Sequence, residues 1–152
     1  MPEFVIEELT SSDLPQVRGV IDVFGEAFED TATYGGAAPD DAYLARLLAQ
    51  PHVCILAASI GGTVIGGLAA YELGKIEQAR SEFYIYDLGV AASHRRKGVA
   101  TALIERVRAI AKARGAHVVY VQADYVDAPA VALYTKLGRR EEVLHFDISV
   151  DR

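Results

Sequence analysis

Cysteine is almost missing from this 152-residue chain: Cys54 stands alone, so no internal disulfide can form. No second Cys or neighbouring His completes a zinc-ligand spacing, and His52, His94 and His117 form no cluster, so no metal is expected. Long hydrophobic runs are missing too. The longest uninterrupted one, Val53 to Ala58, is far short of the roughly 18 residues that cross a bilayer. Met1 to Leu9 already carry Glu3, Glu7 and Glu8 and have no basic start, so no signal peptide is read there. No membrane association is expected, and a reducing cytoplasm is the expected location. Repeats, low-complexity tracts and linkers are absent as well, which leaves one domain over residues 1–152. What is present is ordinary for a folded protein: 51% hydrophobic and 24% charged residues, enough for a single core.

The net charge of −6 argues against a nucleic-acid partner. Its distribution is more informative. Between Arg95 and Gly115 stand Arg95, Arg96, Lys97, Arg106, Arg108, Lys112 and Arg114 against Glu105 alone. Between Asp22 and Asp41 stand Asp22, Glu26, Glu29, Asp30, Asp40 and Asp41 with no Lys or Arg. One region favours anions and the other cations, although either run also suits a solvated helix face.

Periodicity divides the chain into a short strand around Phe4 and Ile6, then a helix carrying Leu14, Val17, Ile21, Phe24 and Phe28. Tyr34-Gly35-Gly36 and Pro39 break that helix, and Asp40-Asp41 open a second, closed by Pro51. Val53–Ile60 and Val64–Leu73 read as a hairpin about Gly61-Gly62, and Phe83–Val90 as the next strand. The period then changes to helical over Gly98–Arg114, with Gly115 in the αL cap position. A strand over His117–Ala123, a helix over Ala128–Leu137 and a last strand or hairpin over Arg140–Val150 complete the order. The fold class is therefore α/β, one mixed sheet with helices on both faces.

The stretch richest in chemistry runs from Tyr86-Asp87-Leu88-Gly89-Val90 into Arg95-Arg96-Lys97-Gly98-Val99-Ala100-Thr101, a strand, a loop and a helix mouth. Small residues there let the backbone approach an anion, and the free N–H groups of the first turn supply donors. The spacing fits neither the triphosphate nor the dinucleotide glycine motif. Arg95-x-x-Gly98-x-Ala100 reads instead as a pyrophosphate grip for coenzyme A, or as an ordinary basic helix start.

This order of elements, with that motif, resembles the general-control-related N-acetyltransferase (GNAT) superfamily. Within it, the chain closely resembles the type I aminoglycoside (gentamicin) 3-N-acetyltransferases. The likeness rests on Arg80-Ser81-Glu82, Tyr84-Ile85-Tyr86-Asp87-Leu88, His94-Arg95-Arg96, Ala100–Ile104, Tyr120–Tyr125, Pro129–Gly138, Arg140–Val143 and His145–Ile148. Gly89 stands where an alanine is familiar, and Gly35-Gly36 where bulkier polar residues are. The resemblance implies a mostly antiparallel sheet of about six to seven strands with a splayed parallel pair at the acetyl-CoA site. It implies that Leu88, Gly89 and Val90 hold the pantetheine arm, and Arg95, Arg96, Lys97, Gly98, Val99, Ala100 and Thr101 the pyrophosphate.

Asp87 interrupts an apolar run, where a carboxylate is costly unless used or paired. It reads as the base that orients the acceptor amine and takes its proton, or as a buried carboxylate satisfied by backbone donors. Tyr134, where the superfamily commonly has a tyrosine near the coenzyme sulfur, reads as proton donor to the leaving thiolate or as a core aromatic. A polycationic acceptor calls for carboxylates and flat rings: Asp124, Asp127, Glu82, Asp30, Glu29 and Glu142, with Tyr34 and Tyr125. His145 is read as structural. The expected function is transfer of acetyl from acetyl-CoA to the 3-amino group of an aminoglycoside, with both substrates bound together, as a resistance enzyme. A polyamine or small metabolite amine is the alternative acceptor, and a non-catalytic acyl-CoA sensor the alternative class. Oligomeric state is left open by composition, and the resemblance admits a homodimer, since the superfamily often pairs through its terminal strands.

Overall fold

The computed structural model describes residues 3–151, in two compact units, one reaching to Gln122 and one from Ala123 onward. The first contains β1 (Val5–Glu8), α1 (Leu14–Ala27), α2 (Asp41–Leu48), β2 (Val53–Ile60), β3 (Thr63–Gly74), β4 (Ser81–Val90), α3 (Val99–Ala113) and β5 (Ala116–Val121). The strands lie in the order β1-β2-β3-β4-β5. All neighbours are antiparallel except β4 and β5, which run parallel and are connected through α3.

Local chemistry sets the boundaries. Asp40 caps α2 by accepting the Tyr43 N–H at 2.9 Å. Gly61 and Gly62 take φ of 54° and 84°, the left-handed pair a two-residue hairpin turn requires. Gly115, at φ 80°, follows α3 as its pattern predicted.

Two adjacent glycines show where the helices sit. A Cβ on Gly67 would lie 2.6 Å from Val20 of α1, and one on Gly66 would lie 3.0 Å from Val99 of α3. Successive strand residues face opposite sides, so α1 and α3 cover opposite faces of the sheet. The α1 face is filled by Val17, Val20, Phe24, Leu44, Leu48, Ile55, Ala57 and Ala69. On the α3 side, Glu72 accepts from Arg114 Nε and from Ser81 Oγ, each at 2.6 Å, tying β3 to the end of α3 and the start of β4.

The second unit holds α4 (Ala128–Leu137), capped by Asp127, which accepts the Ala130 N–H at 3.3 Å. The strand or hairpin expected over Arg140–Val150 is not formed, so the described residues give five strands where six to seven were expected. Val143, Leu144, Phe146, Ile148 and Val150 are all exposed there. Apolar alternation marks a strand face, but a strand exists only where its backbone finds a ladder partner.

Candidate active site

A bulge in β4 makes the site. Phe83 and Ile85 pair with Glu72 and Ala70 on the α3 side. The register then slips, so that Asp87 pairs with Ala69, leaving Tyr86 as the extra residue. Ala69 belongs to the core on the α1 face. The slip therefore turns Asp87 onto that face, where unbroken alternation would have aimed it at α3.

There it meets Tyr34, from the segment between α1 and α2, whose hydroxyl donates to Asp87 Oδ1 at 3.0 Å. The Tyr34 ring is seated edge-on against Phe24 and Phe28, with centroids 6.0 and 5.4 Å away. Burial raises the Asp87 carboxyl above its ordinary value, and the Tyr34 hydrogen bond offsets only part of that rise. The Tyr34 phenol is itself pushed well up, first by burial and then by Asp87, so it remains a donor. Gly89 follows on the same face: its absent side chain would lie 3.2 Å from Phe24 and 3.3 Å from Ala27, so α1 packs directly on the β4 backbone.

The opposite edge of β4 is open. Parallel pairing with β5 ends at Ile85 and Val121, so Leu88, Gly89 and Val90 are bonded on the β3 side with no β5 residue across from them. The chain then turns through Ala92–His94 into Arg95, whose Nε donates to the Val90 carbonyl at 3.3 Å. Arg96 and Gly98 take φ of 62° and 81°. No side chain caps α3, and nothing lies within 4 Å of where a Cβ on Gly98 would stand. The first intrahelical bond runs from the Ala102 N–H to the Gly98 carbonyl, so the first-turn N–H groups of Val99, Ala100 and Thr101 have no acceptor within the helix, directly after Arg95, Arg96 and Lys97. Such a mouth binds anions.

A sequence model of the acetyltransferase (GNAT) family matches residues 20–138. The chain belongs to that family. It is 52% identical to an aminoglycoside acetyltransferase from an uncultured soil metagenomic sample, whose crystal structure superposes with a TM-score of 0.96, covering 99% of this chain and 100% of that one. A second metagenomic aminoglycoside acetyltransferase, crystallised in complex with sisomicin, is 30% identical with a TM-score of 0.91 and 97% of both chains covered. Among curated proteins, a probable N-acetyltransferase family 8 member 5 of Mus musculus is 25% identical over 73% of this chain. The chain spans about half the length of the curated relatives it matches. GNAT enzymes take acetyl-CoA as donor, and the open β4 edge and the uncapped mouth of α3 fit its pantetheine and pyrophosphate.

Other residues singled out in the sequence already have partners. Glu82 meets Lys75 at 3.4 Å and His117 at 3.2 Å. Asp30 accepts the Thr33 N–H at 3.1 Å. β5 ends at Val121, short of the Ala123 expected, so Asp124 lies beyond the strand; its carbonyl accepts the Asp127 N–H at 3.0 Å. Within the second unit, Tyr125 donates to Glu142, Arg140 meets Glu142 at 2.9 Å, and the Arg140 guanidinium lies 5.4 Å from the Tyr125 ring centre. Tyr134, partly buried, has its phenol pushed up to about 12 by burial and then by Asp127. Cys54 is buried and its thiol is pushed up to about 12, which keeps it protonated and a poor nucleophile.

The Tyr34–Asp87 bond was not legible in sequence, because 53 positions separate the two residues. Nor was the row of tyrosines beside them. Tyr84 stacks on Tyr120 at 4.7 Å and meets the edge of Tyr86 at 5.6 Å, which in turn meets Tyr71 at 6.1 Å. Tyr84 and Tyr86, two apart in a strand, were the only signal for it.

Proposed function

We propose that the chain transfers acetyl from acetyl-CoA to the 3-amino group of gentamicin-type aminoglycosides, in a complex holding both substrates, and so confers resistance. The observation that carries this reading is Asp87, turned by a bulge toward Tyr34 at the point where β4 loses its parallel partner. The likeness to aminoglycoside acetyltransferases over nearly the whole chain supports the choice of acceptor.

Amine acetylation needs a neutral nitrogen, while the acceptor arrives as an ammonium. Asp87 takes that proton, directly or through water, and the freed lone pair forms the new C–N bond. A backbone N–H among Leu88, Gly89 and Val90 stabilises negative charge on the thioester oxygen, and the C–S bond then breaks. Arg95, Arg96 and Lys97, with the N–H groups of Gly98, Val99, Ala100 and Thr101, hold the pyrophosphate. Tyr134, neutral at physiological pH, gives its proton to the departing sulfur and is restored by the second proton, which the nitrogen loses as the amide forms. Asp30, Tyr34, Glu82, Asp124, Asp127, Tyr125 and Glu142 are proposed to contribute to acceptor binding. Holding both substrates in one complex accounts for much of the rate.

The test is Asp87→Asn. Turnover should fall about 10²- to 10⁴-fold, the range for loss of a positioned base, with the KM for acetyl-CoA unchanged. Wild-type turnover in this variant would remove Asp87 from the role.

A further inference from the structure

Tyr86 is the large aromatic nearest the proposed base in sequence, and it is not part of the core. It is the residue left over by the β4 bulge and is 62% exposed. A core aromatic would be covered. Its orientation is nevertheless fixed by the neighbouring strand residues: Tyr71 and Tyr84 each meet its ring at a steep angle, 73° and 66°. Tyr84 is held in turn by its stack on Tyr120 and by donating its hydroxyl to Gln122 at 2.8 Å. A ring braced from two sides and open on the remainder loses little conformational freedom when a ligand covers it.

The surroundings select the ligand's charge. Asp87 is adjacent in sequence, and Tyr86 lies close enough to Tyr34 and Tyr71 to raise the cost of ionising each of them. Asp30 also acts on Tyr34. An exposed ring next to a carboxylate attracts a cation over its face and an apolar sugar face against its π surface.

We propose that Tyr86 seats the acceptor, stacking against a cationic amino sugar and holding it beside Asp87. The inference rests on the acetyl-transfer reading for its choice of ligand. It is tested by calorimetric titration of sisomicin into the coenzyme A complex of the wild-type chain, Tyr86→Leu and Tyr86→Phe, with thiol release measured in parallel. The expected result is a roughly 2- to 30-fold weaker sisomicin affinity in Tyr86→Leu, the span of cation–π strengths, with Tyr86→Phe near wild type. Coenzyme A affinity should be equal in all three. Equal sisomicin affinities, or no sisomicin binding to the wild-type chain, would overturn the assignment. Failure of the acetyl-transfer reading looks different: sisomicin binds and Tyr86→Leu weakens it, yet the wild-type chain releases no thiol.

Discussion

At the scale of single residues, the bond between Tyr34 and Asp87 makes the sharpest prediction. Burial holds the Asp87 carboxyl above its ordinary value, and the Tyr34 hydroxyl is the contact that lowers it. Removing that hydroxyl with Tyr34→Phe must therefore raise the Asp87 pKa further. If Asp87 is the base, kcat/KM falls as pH drops through that pKa, and in Tyr34→Phe the acidic limb moves to higher pH. A pH–rate profile of the two proteins checks this; an unmoved limb would separate Tyr34 from the base. Asp87 itself was legible in the sequence, as a lone carboxylate in an apolar strand. Its direction was not, because the face it occupies depends on a one-residue slip against Ala69 and Ala70 that no periodicity in β4 announces.

At the scale of elements, the packing of α1 against β3 depends on Gly67, where a Cβ would lie 2.6 Å from Val20. Gly67→Ala should cost about 1–3 kcal/mol, the usual penalty of overpacking, and lower the melting temperature by several degrees. A melting temperature unchanged from wild type would show that α1 yields freely. The Glu72 clasp makes a pH prediction. Burial raises its carboxyl, but hydrogen bonds from Ser81 and Arg114 outweigh burial and lower it below the ordinary 4.5. The folded form thus gains from ionised Glu72 above pH 4.5, and that gain is lost as pH falls through the depressed value. Denaturant titrations across this range should show a shallower acid decline in Glu72→Gln than in wild type. The helices and most strands were readable from periodicity and turn residues, α4 to the residue. Arg140–Val150 was not, since its alternation specifies a face without specifying a partner edge.

At the scale of the whole molecule, an acidic chain with a basic segment around α3 should treat its two substrates differently from an uncharged one. Raising salt screens exposed charges beyond about 8–10 Å, so the KM for a polyammonium acceptor should climb with ionic strength. We propose that the exposed row of Val143, Leu144, Phe146, Ile148 and Val150 is covered in the homodimer that the resemblance admits. Sedimentation should then find a dimer in the wild-type chain and a monomer when Phe146 and Ile148 are both changed to Asp; a wild-type monomer would contradict it. The central claim is acetyl transfer to the 3-amino group, and product mapping tests it most directly. The wild-type chain is given acetyl-CoA with gentamicin, sisomicin, kanamycin or spermidine, thiol release is followed, and any product is located by NMR. The account predicts release with the gentamicin-type drugs and a 3-N-acetyl product. Release with spermidine alone, acetylation at another amine, or coenzyme binding with no release on any acceptor would contradict it.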